Sequence, residues 1–120
     1  MILIMIEAPT TPQMARAAIE REGAYGPLQI RQVCLDDVIA RRRSSMIQAF
    51  GRVLTPKDCT DEQVARWVCV QYLQIWGSHY KKVTGKKATN EVLARIWNGG
   101  PNGWKKKSTL GYLVKYRKLL

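Results

Sequence analysis

Apolar residues along the chain recur at intervals of three and four rather than in alternation, the spacing of helices that bury one face. Thr11-Pro12 pairs an N-cap with a first-turn proline. It predicts a helix over about residues 12–22, closed by Gly23 at the C′ position. Residues 33–43 predict a second helix, with "RRRSSM" at 41–46 as its frayed end and a linker. "TPKDCTDEQ" holds two successive caps, Thr55-Pro56 and the capping box Thr60-x-x-Gln63. Beyond it Val64, Trp67, Val68, Tyr72, Ile75 and Trp76 share one face, so residues 61–76 are expected to form the long central helix. "HYKKVTGKK" reads as a basic loop and residues 90–97 as a helix broken by "NGGPNG". Ser108 or Thr109 starts a last helix to about Lys118. With no internal repeat, low-complexity tract or alternating strand, the fold class is all-α or nearly so.

Length and composition narrow the reading. A chain of 120 residues buries a core without metal or disulfide staples, so a single domain is expected over 1–120, with 1–22 as an atypical N-terminal segment. Cys34, Cys59 and Cys69 are an odd set without C-x-x-C spacing. They suggest neither a disulfide framework nor a metal site, and read as reduced, mostly buried thiols. The opening "MILIMI" has no basic lead and no cleavage site, so a cytoplasmic location is expected as encoded, with the cell wall reached only on lysis or by a separate export route.

Charge changes the picture more. The formal net charge is +11, and residues 81–120 carry eleven Lys or Arg against Glu91 alone. Lys105, Lys106, Lys107, Lys115, Arg117 and Lys118 form the densest group and are the candidate polyanion-binding set. His79 is the only histidine and has no recognisable nucleophile or acid partner. "TGKK" lacks the glycine and hydroxyl residue of a phosphate loop, so triad chemistry and nucleotide chemistry are disfavoured and no cofactor is expected.

Two punctuated stretches carry the remaining signal. "GAYGPLQI" at 23–30 turns sharply beside Glu20 and Glu22, and "ARIWNGGPNGWKKKSTLGYL" breaks the fourth predicted helix. Together, with a long Tyr-bearing helix between them and "DC" at 58–59, they resemble the lysozyme-like domains of bacteria and phages, the goose-type lysozyme and soluble lytic transglycosylase group, over most of residues 24–118. The resemblance implies a glycan cleft lined by the turn Gly26-Pro27-Leu28-Gln29 on one side and Trp97-Asn98-Gly99-Gly100 on the other. The residue types suit a saccharide: glycine lets backbone amides approach closely, Tyr25, Tyr72 or Trp97 offers a ring for a sugar face, and Gln29 and Asn98 hydrogen-bond hydroxyls and N-acetyl groups.

Glycosidic cleavage needs a protonated carboxyl aimed at the leaving oxygen. The resembled group places this Glu in Glu-Ser-Gly at the end of the first helix, a motif this chain lacks. Glu22, followed by Gly23 at a helix end, is the first candidate, and Glu7, followed by Ala8 with a longer connection to Gly26, is the second. Two uses stay open: cleavage of the peptidoglycan glycan strand through a single Glu, or a lysozyme-fold binding protein without catalysis. The second would be a phage- or mobile-element-encoded inhibitor docking its basic face on nucleic acid or a nucleoprotein complex. A structural component that only holds glycan is a third.

Overall fold

A computed structural model describes all 120 residues. Six α-helices follow in order: α1 (Ile2–Glu7), α2 (Pro12–Glu22), α3 (Gln32–Phe50), α4 (Glu62–Thr84), α5 (Asn90–Gly99) and α6 (Leu110–Lys118). Short 3₁₀ turns at Pro56–Thr60, Gly103–Lys105 and Lys107–Thr109 join them. There is no strand, only an isolated bridge between Tyr25 and Ile30. The all-α class and the long fourth helix are as expected. No helix is long and apolar enough to cross a membrane.

The chain groups into two compact units, one of Met1–Ile6 with Leu73–Leu120 and one of Glu7–Tyr72; α4 contributes its first half to the second and its remainder to the first. In the Glu7–Tyr72 unit, Leu28, Ile30, Leu35, Val38, Met46, Val68 and Cys69 are fully buried. Each large aliphatic side chain removed from water in this way stabilises by about 1.5–3 kcal/mol. The other unit is built around Leu3, Ala94, Ile96, Thr109, Tyr112, Leu113 and Tyr116.

The local signals at α2 act as read. The Thr11 hydroxyl oxygen accepts from the Met14 amide at 3.1 Å, and Gly23, at φ 61°, donates its amide back to the last turn. Two expectations failed further on. "RRRSSM" is helix, not linker: α3 runs seven residues past Arg43 to Phe50, with one kink at Arg42 (φ −133°, ψ 24°). Buried Met46 anchors that extension and the Arg42 Nε donates to Gln71 on α4 at 3.1 Å, so tertiary contacts hold the charged run in the helix. "HYKKVTGKK" is likewise mostly helix, since α4 continues to Thr84 and stops where Gly85 adopts φ 73°. Gly77 lies inside the helix, where a Cβ would come within 3.2 Å of Leu93 Cδ2 on α5, a tight contact. The cap of α4 is also shifted by one residue, because Asp61 rather than Thr60 accepts from the Val64 amide, at 3.1 Å.

Candidate functional site

In the Glu7–Tyr72 unit, the turn at 26–29 is held from both ends. The Tyr25 amide donates to the Ile30 carbonyl at 3.0 Å and the Ile30 amide returns the bond at 2.9 Å, while buried Ala24, Leu28 and Ile30 pin the turn to the core. Gly26 sits at φ 76° against the backbone of Cys59 and Thr60, and a side chain there would collide with the Cys59 carbonyl. The "DC" pair is thus a buttress. Asp58 accepts from both Arg52 guanidinium nitrogens at 2.6 and 2.7 Å and from the Thr55 amide at 2.7 Å, so the Arg52 hydrogen bonds above all hold its carboxyl well below the usual range.

Gln29 adopts φ 53°, a conformation uncommon for a residue with a Cβ, and its Nε2 donates to the Gly26 carbonyl at 3.0 Å. That bond commits the amide nitrogen to the turn and leaves the amide oxygen as the acceptor. Tyr25 is half-buried beside it. Tyr72 is only 6% exposed, a core residue whose phenol is raised above its ordinary pKa mainly by burial; this removes it as a platform for stacking a sugar ring.

The two candidate carboxyls have different surroundings. Glu22 is 52% exposed at its side chain and pairs with the Arg31 guanidinium at 3.2 Å across the turn. Glu7 is half-buried at the end of α1, and its charge helps raise the buried Cys69 thiol, which burial chiefly pushes up to about 12. Cys59 is likewise raised to about 12 by burial, then by Asp58, and Cys34 is raised mainly by burial. All three cysteines are free, Cys59 and Cys69 buried and Cys34 half-buried, and none is a reactive thiolate at neutral pH.

The second punctuated stretch belongs to the other unit. Thr89 caps α5 by accepting from the Val92 amide at 3.2 Å, and Gly100 closes the helix at φ 85° with its amide on the Ile96 carbonyl at 2.8 Å. Trp97 is half-buried and Asn98 exposed at the helix end. The turn that follows is knotted by Thr109, which the sequence marked only as a helix start. Its buried hydroxyl accepts from Arg95 Nε at 2.8 Å and faces the carbonyls of Gly103 at 2.7 Å and Lys106 at 2.9 Å. Side chains at Gly99 and Gly103 would meet Thr109 Cγ2 and the Arg95 carbonyl, which explains why the turn is glycine-rich.

The six candidate polyanion-binding residues divide evenly. Arg117 is paired with Glu91 at 2.8 and 3.0 Å, Lys106 Nζ donates to the Gly99 carbonyl at 2.7 Å, and Lys105 lies over the Trp104 ring at 5.5 Å. Lys107, Lys115 and Lys118 are exposed and make no such contact.

An all-helical chain with these two glycine turns is consistent with a lysozyme-like fold. Among curated proteins, the invertebrate-type lysozyme 6 of Caenorhabditis elegans is 46% identical to this chain over 57 residues, 45% of this chain and 38% of that protein. The match therefore spans well under half of the relative's length. It makes the chain similar to an invertebrate-type lysozyme over that stretch, without pointing to the goose-type or lytic transglycosylase group. No family model matches the chain, and no solved structure matches it.

Proposed function

We propose that the protein is a lysozyme-like glycosidase acting on the peptidoglycan glycan strand, with Glu7 as its general acid. The observation that carries this reading is the 46% identity over 57 residues to an invertebrate-type lysozyme. The choice of Glu7 over Glu22 follows from surroundings. A proton donor needs shelter from water, and Glu7 is half-buried at the end of α1 whereas the Glu22 side chain is 52% exposed.

In this reading Glu7 donates its proton to the glycosidic oxygen as the anomeric C–O bond breaks. Water, or a hydroxyl of the substrate itself, then adds to the anomeric carbon and returns a proton to the Glu7 carboxylate. The Gln29 amide oxygen accepts from a sugar hydroxyl or N-acetyl N–H, with its amide nitrogen fixed by Gly26. The test is release of reducing ends or of anhydro-sugar ends from purified peptidoglycan by the wild-type protein. Release of either supports the reading, and the absence of both across roughly pH 4–8 overturns it.

A further inference from the structure

The charge of the chain is confined to one compact unit. Met1–Ile6 with Leu73–Leu120 carries eleven Lys or Arg against Glu91 alone, while Glu7–Tyr72 is close to neutral. Within that unit, helix α6 buries Tyr112, Leu113 and Tyr116 and turns its other face to solvent. Leu110 and Val114 lie on that outer face, 48% and 49% exposed.

Their register matters. Lys107 opens a 3₁₀ turn, in which residues three apart align, so it stands over Leu110. Leu110, Val114 and Lys118 then follow at four-residue steps on one side of α6. The result is a stripe with a lysine at each end and two aliphatic side chains between them, flanked by Lys115. Of the six candidate basic residues, these three lysines make no ion pair or side-chain hydrogen bond, whereas the neighbouring Arg117 is paired with Glu91.

We infer that this stripe is a docking surface for an anionic lipid bilayer, the lysines meeting headgroup phosphates while Leu110 and Val114 enter the headgroup–acyl boundary. Charge complementarity selects an anionic partner, and the aliphatic pair selects a lipid one. A nucleic acid would gain nothing from Leu110 and Val114. The aromatic rings of α6 on which bases would stack, Tyr112 and Tyr116, are in the core. Binding is peripheral, and it is independent of the glycosidase reading.

The test is co-sedimentation with phosphatidylcholine vesicles made with and without phosphatidylglycerol, over a salt series, with duplex DNA as a parallel probe. Wild type is expected to bind only the phosphatidylglycerol vesicles, more weakly as salt rises. Leu110→Ser with Val114→Ser keeps the net charge and is expected to lose about tenfold in affinity. Lys107, Lys115 and Lys118 changed together to Ala are expected to lose about fivefold per lysine. Both variants alter exposed positions, so their melting curves should match wild type; should the double variant melt early, Val114→Ser alone is read, with an expected loss of about threefold. Vesicle binding unchanged by loss of the aliphatic pair overturns the inference, as does binding that ignores phosphatidylglycerol. Retention on DNA without retention on vesicles also overturns it, and assigns the face to nucleic acid.

Discussion

Gly26 rests against the main-chain carbonyl of Cys59 at φ 76°, so a methyl group at position 26 and that carbonyl oxygen compete for the same space. Both the left-handed backbone and the contact oppose any side chain. Gly26→Ala is therefore expected to cost about 2–5 kcal/mol, from about 1–2 kcal/mol of backbone strain and about 1–3 kcal/mol of overpacking. A drop in melting temperature of about 10 °C or more is the expected reading. A variant melting with wild type would mean that the turn and the Cys59 segment are not packed as described.

The two carboxyl candidates separate cleanly by substitution. Under the proposed reaction, Glu7→Gln would remove the proton donor while keeping its shape, and is expected to reduce turnover of peptidoglycan by about 10²–10⁴-fold with little change in KM. Glu22→Gln breaks only an exposed ion pair with Arg31, so turnover and melting temperature should stay near wild type. The reverse pattern would assign the acid to Glu22.

These two residues show what was legible in the sequence. Glu22 ranked first there because Gly23 follows it at a helix end, and that helix end is real. Its pairing with Arg31, nine positions on, has no local signature. The same division runs through the fold. The cap at Thr11 and the closing glycine at 23 act within a few residues of themselves, so the chain announces them. The extension of α3 depends on buried Met46 and on Arg42 reaching Gln71. That of α4 passes through Gly77, which lies close against Leu93 on α5. Both depend on distant partners, which the local sequence does not name. The turns at 26–29 and 97–100 were visible because glycine marks them. The groups that hold them, the Cys59 carbonyl and the Thr109 hydroxyl, were not.

Asp58 gives the fold a defined acid sensitivity. Its folded pKa is depressed by Arg52 and Thr55, so it contributes stability that is present above the unfolded value of about 3.9 and is lost as pH falls toward the lower folded value. Asp58→Asn is expected to lower stability by about 1–2 kcal/mol at neutral pH, through loss of the charge-assisted cap. The gap from wild type should narrow progressively as pH falls below about 5, where the unfolded carboxyl takes up its proton while the native one, held by Arg52, resists it. Thermal melts of both proteins across that range check this, and a gap independent of pH would show that Asp58 acts by shape alone.

Thr109 tests whether the second glycine turn is held by its hydroxyl. The side chain is fully buried, takes a hydrogen bond from Arg95 and faces two main-chain carbonyls, while its methyl fills the space that Gly99 leaves open. Thr109→Val keeps the methyl and the volume but leaves Arg95 and a buried carbonyl short of a partner, which costs about 1–3 kcal/mol. Thr109→Ser keeps the hydroxyl and removes the methyl, a loss of about 1 kcal/mol. The expected order of melting temperature is therefore wild type, then Ser, then Val. Amide exchange adds a local readout: in Thr109→Val the Gly103 and Lys106 amides, which bond to the Gly100 and Gly103 carbonyls at 2.8 and 3.2 Å, should exchange faster than in Thr109→Ser. A valine variant more stable than the serine variant would place the weight of this contact on packing and leave the hydroxyl a bystander.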